Sequence, residues 1–586
     1  MTPAVDARAY LLIDSSHATP ADRDRLDQVR RDLLAAGWRS ALVVDHIEVF
    51  LGPNATVAVR QVHRRHIQIG TWRPSDRSLS SIIGTSRTAG SLGSEVVRSG
   101  WGRYILAWRD DESRLVLIRD PSGAIDCVWW RSGGLRLASD QPPEVADALL
   151  PPEIAIDWEV LATLSNDPGL LSDRPPLRGL NVVTPGDMVL LGDTMERHAL
   201  WRPSRFVGTA FDDSPDALRT LVDQAVAVSL APHERIQGEI SGGLDSAIVS
   251  GSVAAAGLGP RARFVNYFAD WSEGDERAYA LAAAEKSGLR LEAARKPVAA
   301  ITEALLRPLG EGIRPALHGV DVAYDRDVAR RLRQGRATAL VTGQGGDAVF
   351  YQAPEPRIVV DRRRREGLAG FRPRYWGEMA RWTRHSAWTL ARLALWPPPR
   401  KPSAAPLHPW LGDAADLPPG KYGQVHRLAN CQLFWSDCLR ARAADLIHPL
   451  LSQPVMEHCL AIPADRLTLG PRDRGLARKA FAGRLPPSIA QRRDKGDLGR
   501  FYGHVVQRSL PDLRPLLMDG LMVEHRLFDR VELGRDLEPE RLLWSPGANR
   551  PLLLGVLEVW AQRWTQRLEA RWRTEISSQP IQDARV

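Results

Sequence analysis

Glu239-Ile240-Ser241-Gly242-Gly243-Leu244-Asp245-Ser246 lies just short of the middle of a 586-residue chain, and how it is read decides the fold. Residues 235–240 read as a short buried strand. After the stretch, Ala247, Ile248, Val249, Val253 and residues 254–256 carry an apolar helical pattern that runs out at Gly257. Strand, tight Ser-Gly-Gly turn and helix together make an anion site. Glycines let successive backbone N–H groups point into one concavity, and the helix N-terminus adds about half a positive charge. Ser241 and Ser246 supply hydroxyl donors for phosphate oxygens. Asp245 suits such a place once Mg²⁺ stands between it and the phosphates. The Walker pattern, with its Gly-Lys-Ser/Thr ending, is absent.

A second glycine turn, Thr342-Gly343-Gln344-Gly345-Gly346-Asp347, follows a predicted strand at 338–342. Strand candidates 235–240, 263–268 and 338–342 alternate with helices over 277–287 and 320–333, the pattern of a parallel sheet. In such a sheet both turns meet at the C-terminal edge. Asp245 and Asp347 then become a pair of Mg²⁺ ligands beside a triphosphate.

Hydrophobic content of 44% and charged content of 25% are ordinary for a soluble globular protein. The length predicts at least two domains. A net charge of +8 is mild over this length and requires no nucleic-acid partner, though it favours an acidic ligand. Four cysteines are too few for a disulfide scaffold, and no Cys or His cluster suggests zinc. No basic secretory start and no run of about 18 apolar residues is present, so a cytoplasmic protein without a membrane span is expected.

Residues 1–205 read as layered antiparallel sheets with helices such as 23–36. Short β-like runs at 9–13, 41–44, 104–108, 114–118, 125–130 and 135–138 are punctuated by turn residues. Residues 206–586 read as an α/β nucleotide-binding domain opening onto helices. Within it, 357–419 changes character. Arg362 to Arg365 are four consecutive arginines, Trp376, Trp382, Trp388 and Trp396 alternate with more arginine, and a proline-rich joint follows. Three readings stand: a helical insertion packing its own tryptophans, a surface for an acidic or extended peptide, or a basic helix lying on a membrane.

Ser241-Gly242-Gly243-Leu244-Asp245-Ser246 resembles the pyrophosphate loop of the asparagine synthetase-like ATP pyrophosphatases, and Thr342-Gly343-Gln344-Gly345-Gly346-Asp347 resembles their second phosphate-side segment. Gly102-Arg103-Tyr104-Ile105-Leu106-Ala107-Trp108, Arg119-Asp120-Pro121-Ser122-Gly123 and Pro185-Gly186 resemble pieces of the class II glutaminase domain that precedes this core. The resemblance implies ATP and Mg²⁺, with Gly343 and Gln344 approaching the adenylate. Arg492-Arg493-Asp494-Lys495-Gly496 resembles a segment whose lysine reaches the active site, which implies that Lys495 stabilises departing pyrophosphate and the oxyanion. Arg474 and Arg478, four apart, share one helical face. Asp275 and Glu276 resemble the acidic segment beside the nucleotide, and Glu276 also suits a helix N-terminus.

Two departures narrow the function. A glutaminase of this kind needs cysteine as residue 2, where this chain has Thr2, so that domain is expected to be inactive. The β-lactam synthetase branch has a tyrosine base where this chain has Gln344. A peptide α-amine, with pKa about 7.7–8.0, needs little help: deprotonation at pH 7 costs ~1 kcal/mol, against nearly 5 for lysine. His318, Asp445 and His448 remain candidates for a base or substrate contact, as does Arg478, though the first three suit a structural role better. Together these features resemble the lasso peptide macrolactam synthetases. That branch implies adenylation of an Asp or Glu side chain in a leader-freed core peptide, then attack by the peptide's N-terminal amine. It also implies a leader peptidase and a leader-binding protein as partners. The alternatives are an ammonia-dependent asparagine synthetase, a β-lactam synthetase-like ligase, or a non-catalytic peptide or RNA binder with a vestigial ATP site.

Overall fold

The computed structural model describes residues 9–86, 88–167, 174–269, 275–399, 408–493, 499–544 and 549–578. Two six-stranded antiparallel sheets come first. One runs in the order Asn181–Val182, Val128–Ser132, Leu135–Ser139, Tyr10–Asp14, Ile47–Leu51, Arg39–Val44. The other runs Met195–Ala199, Asp187–Leu191, Leu115–Arg119, Gly100–Arg109, His66–Pro74, Val59–His63.

Alternation along each strand sorts its residues between two cores. Tyr10 and Leu12 share the inter-sheet core with Ile105, Ala107 and Leu117. Leu11 and Ile13, one position out of phase, pack with Leu26, Val29 and Leu33 of the helix Pro20–Ala35. On the second sheet, Tyr104, Leu106 and Trp108 pack with Leu79, Ile82 and Val96 of the helices Leu79–Thr85 and Ala89–Arg98. Helix, sheet, sheet and helix form four layers, the layered antiparallel domain expected. The first helix starts three residues earlier than its apolar pattern suggests. Thr19 Oγ1 accepts from Asp22 N at 3.2 Å while the Asp22 carboxylate accepts from Thr19 N at 3.0 Å, a reciprocal cap.

The helix Pro215–Leu230 leads into a five-stranded, all-parallel sheet. Its order is Leu291–Arg295, Ala262–Phe268, Ile236–Glu239, Ala339–Val341, Asp445–Ile447. The chain winds outward from Ile236–Glu239 in one direction, then returns to its other side with Ala339–Val341. That reversal opens a crevice at the C-terminal strand ends, where ligands bind in open α/β sheets. Both glycine turns leave the sheet there.

Of the basic insertion, the helices Ile358–Glu366, Pro373–Thr383 and Ala387–Leu395 are described, and residues 400–407 lie outside the described residues. Trp376 is buried, whereas Trp388 and Trp396 are 77% and 71% exposed. Arg362 is buried too, 3.0 Å from Asp465 and over the ring of Tyr375. The C-terminal helices Gly499–Met518 and Arg550–Ser578 complete the helical part. From the last of these, Arg567 Nε reaches both Asp147 oxygens, at 3.0 and 2.9 Å, and so staples the chain's end to the antiparallel domain. No helix among the described residues is long and apolar enough to cross a membrane.

Candidate functional site: two glycine turns at the sheet crevice

The strand Ile236–Glu239 feeds the Ser-Gly-Gly turn, and the helix Leu244–Ala255 starts at once. Gly242 has φ +84°, and a Cβ there would lie 2.9 Å from Glu276 Cβ, so conformation and space both require glycine. Ser246 Oγ accepts from Ser241 N and donates to Gly243 O, each at 3.1 Å, which ties the turn to the first helical turn. The second turn presses directly on the first. A Cβ on Gly343 would fall 2.5 Å from Ser246 N.

The two aspartates converge. Arg474 Nη1 lies 2.7 Å from Asp245 Oδ2 and 2.6 Å from Asp347 Oδ1, one cation shared by carboxylates from separate turns. Arg474 takes a left-handed conformation, φ +52°, just before the helix Gly475–Ala480, and its backbone N–H donates to Tyr351 O at 3.0 Å. Burial opposes its charge, but Asp245, Asp347 and Asp473 outweigh that and hold its pKa above the ordinary value. The donor set fits Mg²⁺. Two carboxylates already enclose a positive charge at the mouth of an anion-binding turn, and Mg²⁺ takes one or two carboxylates and completes its shell with phosphate oxygens and water. No cluster of three or more His, Cys, Asp or Glu occurs among the described residues.

Beside Gly343, four polar side chains form a chain of contacts. Gln344 N donates to Thr342 Oγ1 at 3.2 Å, and Thr342 Oγ1 lies 2.8 Å from His448 Nδ1. Gln344 Nε2 lies 2.8 Å from His318 Nε2 and, being an amide N–H, donates to it. Burial, then the charges of Arg440 and His448, hold the His318 pKa well below its usual value, so the ring is neutral and accepts. Arg440 donates to His318 O at 3.2 Å and pairs with buried Asp325 at 2.7 Å. One strand away, Tyr324 Oη donates to Glu239 at 2.5 Å, and burial raises that carboxyl's pKa.

The remaining sequence candidates lie elsewhere or play other parts. Asp445 does not join the site: it begins the strand Asp445–Ile447, so it lies at the opposite edge of the sheet. There it takes a bidentate grip from Arg103, with both N–O distances 2.6 Å. Arg478 is buried, 2.7 Å from Asp473 and 2.8 Å from Ile489 O, and so acts as a strut. Glu276 pairs with Arg492 at 2.7 Å, and Arg492 Nη1 reaches Gly242 O at 3.4 Å. Lys495 and Thr2 lie outside the described residues. Sequence reasoning missed the bridging role of Arg474. Its i, i+4 pairing with Arg478 pointed to a shared face, whereas both guanidinium groups in fact meet at Asp473.

The asparagine synthase family model matches residues 217–562. None of the curated proteins compared matches this chain. Among solved structures, an allosteric regulatory enzyme of purine biosynthesis is 10% identical, with 50% of this chain and 82% of that one covered and a TM-score of 0.22. A glutamine phosphoribosylpyrophosphate amidotransferase from B. subtilis, complexed with ADP and GMP, is also 10% identical, with 49% and 65% covered and a TM-score of 0.20. The family match spans both glycine turns, both aspartates and Arg474, and by it this chain belongs to the asparagine synthase family of ATP-dependent, amide-forming ligases.

Proposed function

We propose that this chain is a lasso peptide macrolactam synthetase. It transfers AMP from ATP to an Asp or Glu side chain of a leader-freed core peptide, with pyrophosphate leaving. The peptide's N-terminal amine then attacks the acyl-adenylate, an amide bond forms and AMP departs. The observation that carries the reading is the meeting of Asp245 and Asp347 on one cation beside two glycine turns.

The turn at Ser241 to Ser246 binds phosphates through backbone N–H groups and two hydroxyls. Asp245 and Asp347 would hold Mg²⁺, which would supply positive charge that favours departure of pyrophosphate. Gln344, held by neutral His318, orients the reacting groups and accepts no proton itself. The α-amine needs no base before it attacks, since about one in ten of such groups is already neutral at pH 7, and the proton it loses as the amide forms passes to water or to the departing AMP. Lys495 remains the proposed stabiliser of the oxyanion.

Ammonia delivery from the first domain is disfavoured. Cys127, the cysteine of that domain, is buried, and burial pushes its thiol up to about 12, so it offers no thiolate. A leader peptidase and a leader-binding protein would act before this enzyme, in the cytoplasm. The test is incubation with ATP, Mg²⁺ and peptides from short reading frames beside its gene, each with a free N-terminus and one internal Asp or Glu. Loss of one water from the peptide, matched mole for mole by AMP, is the expected result. AMP release with aspartate and ammonium, and none with any peptide, would overturn the reading.

A further inference from the structure

A groove of about 1880 Å³ runs between the antiparallel domain and the parallel-sheet domain. Pockets for small ligands run to about 300–1,000 Å³, so this one suits a larger occupant. The helix Val322–Gly335 forms one wall through Tyr324, Arg326, Arg330 and Arg333. Pro53, Asn54, residues 56–58, Arg73 and Arg103 belong to the facing wall. The helix has 14 residues, which at ~1.5 Å per residue makes it about 21 Å long. Some six residues of extended chain, at ~3.3 Å each, cover that distance.

The groove joins the two edges of the sheet. One end reaches Lys296 and Tyr324, whose hydroxyl holds Glu239, two residues before Ser241. The other reaches Thr338 and Asp445. Eight Arg or Lys line it against three acids, Glu311, Asp327 and Asp445, and all three acids are already paired with arginine. Among the described residues Arg73, Arg326 and Arg333 have no ion pair. Burial and the neighbouring Arg103 charge push Arg73 down to about 10, as expected of a partly desolvated cation short of an anion.

We infer that this groove seats an extended, carboxylate-bearing segment of the substrate peptide, with its Tyr324 end leading towards the nucleotide crevice. The inference rests on the proposed ligase reading, since it takes the occupant to be the molecule activated there. In that reading the nucleotide takes the separate crevice at the two glycine turns, so the two sites are read independently.

The test uses the full chain and two fluorescein-labelled decapeptides, alternating Gly-Glu and alternating Gly-Lys, followed by fluorescence anisotropy. Mg-ATP binding is measured in parallel by calorimetry. The expected result is that the acidic peptide binds at least about tenfold tighter than the basic one. In the double variant Arg326→Glu/Arg333→Glu, both positions being exposed, acidic-peptide affinity falls at least about tenfold while Mg-ATP affinity is unchanged. Equal binding of the two peptides, or an unaffected double variant, overturns the groove assignment even where Mg-ATP binds. Displacement of the acidic peptide by a single-stranded oligodeoxynucleotide of higher affinity overturns it as well. A charge-sensitive peptide site in a chain that binds no Mg-ATP keeps the groove and removes the ligase reading.

Discussion

Gly346 and Asp245 are so close that a Cβ on the glycine would fall 2.4 Å from the Asp245 carboxylate carbon. Asp245 is itself buried and pinned to Arg474, so it can make room only by giving up that contact. Gly346 begins a short helix with ordinary φ, and alanine there adds no backbone strain. The Gly346→Ala substitution therefore acts by displacing one carboxylate. Because a shift of about 1 Å in a reacting group costs on the order of 10²-fold, ATP–pyrophosphate exchange should fall by about that factor. Thermal unfolding should move by only a few degrees. Undiminished exchange would mean that Asp245 has no part in the nucleotide site.

Arg103 and Asp445 stand 342 positions apart and join the two domains through a bidentate pair about one-fifth exposed. Removing one partner of a buried pair costs about 3–5 kcal/mol, and the residual exposure brings the expectation down to about 1–3 kcal/mol. Asp445→Asn should therefore lower stability in urea by about that amount. Its exchange activity should stay within about twofold of the parent, because the site is at the other edge of the sheet. A double-mutant cycle with Arg103→Ala gives the coupling directly. Loss of exchange without loss of stability would return Asp445 to the catalytic candidates.

These two cases show what the sequence could carry. The turn at Gly242 was legible because one short run contains everything that builds it: a strand, a residue with φ +84° and a helix start. The layered domain was legible because short apolar runs such as Tyr10–Asp14, buried along their whole length, are set apart by turn residues. The outer strands Leu291–Arg295 and Asp445–Ile447 were not expected. The first is Leu-Glu-Ala-Ala-Arg, whose residues favour helix and are mostly exposed; the second has only three residues. Their strand state comes from pairing with neighbours already in the sheet. The Arg103 grip on Asp445 and the Arg474 bridge depend on contacts across hundreds of positions, which no local pattern reports.

The buried histidines set the acid limit of stability. Burial, then Arg202, Arg119 and Arg314, lower His408 to about 3, and His318 is also held well below its usual value. An unfolded histidine titrates near ~6.5. Above that pH both states are neutral and neither ring matters. Below it the unfolded chain takes up protons that the folded rings refuse, so stability falls as pH drops, for His408 down to about 3. Between pH 6.5 and 5.5 the two rings together should remove about 2 kcal/mol, measurable as a shift in the urea midpoint. His408→Gln should take away about half of that slope. The rate profile should differ from the stability profile. With His318 neutral throughout, activity should follow the peptide amine near pH ~8 and show no step near 6.5.

Arg474 places a fixed cation where the proposed metal would bind, so the two compete for the same carboxylates. Its Nη1 holds Asp245 at 2.7 Å and Asp347 at 2.6 Å, and Asp473 holds the rest of the guanidinium. Asp245 and Asp347 would hold Mg²⁺ in competition with these charge-assisted bonds, each worth about 1.5–3 kcal/mol. In Arg474→Gln that competition is gone, and the half-saturating Mg²⁺ concentration for exchange should fall by about tenfold. The rate at saturating Mg²⁺ should also fall, because a buried positive charge has left the phosphate side. A purely structural Arg474 gives the opposite pair of results: lower stability on substitution and an unchanged Mg²⁺ requirement. Titrating Mg²⁺ in the exchange assay, with unfolding followed on the same samples, separates the two, since only competition moves the metal requirement down while the maximal rate also drops.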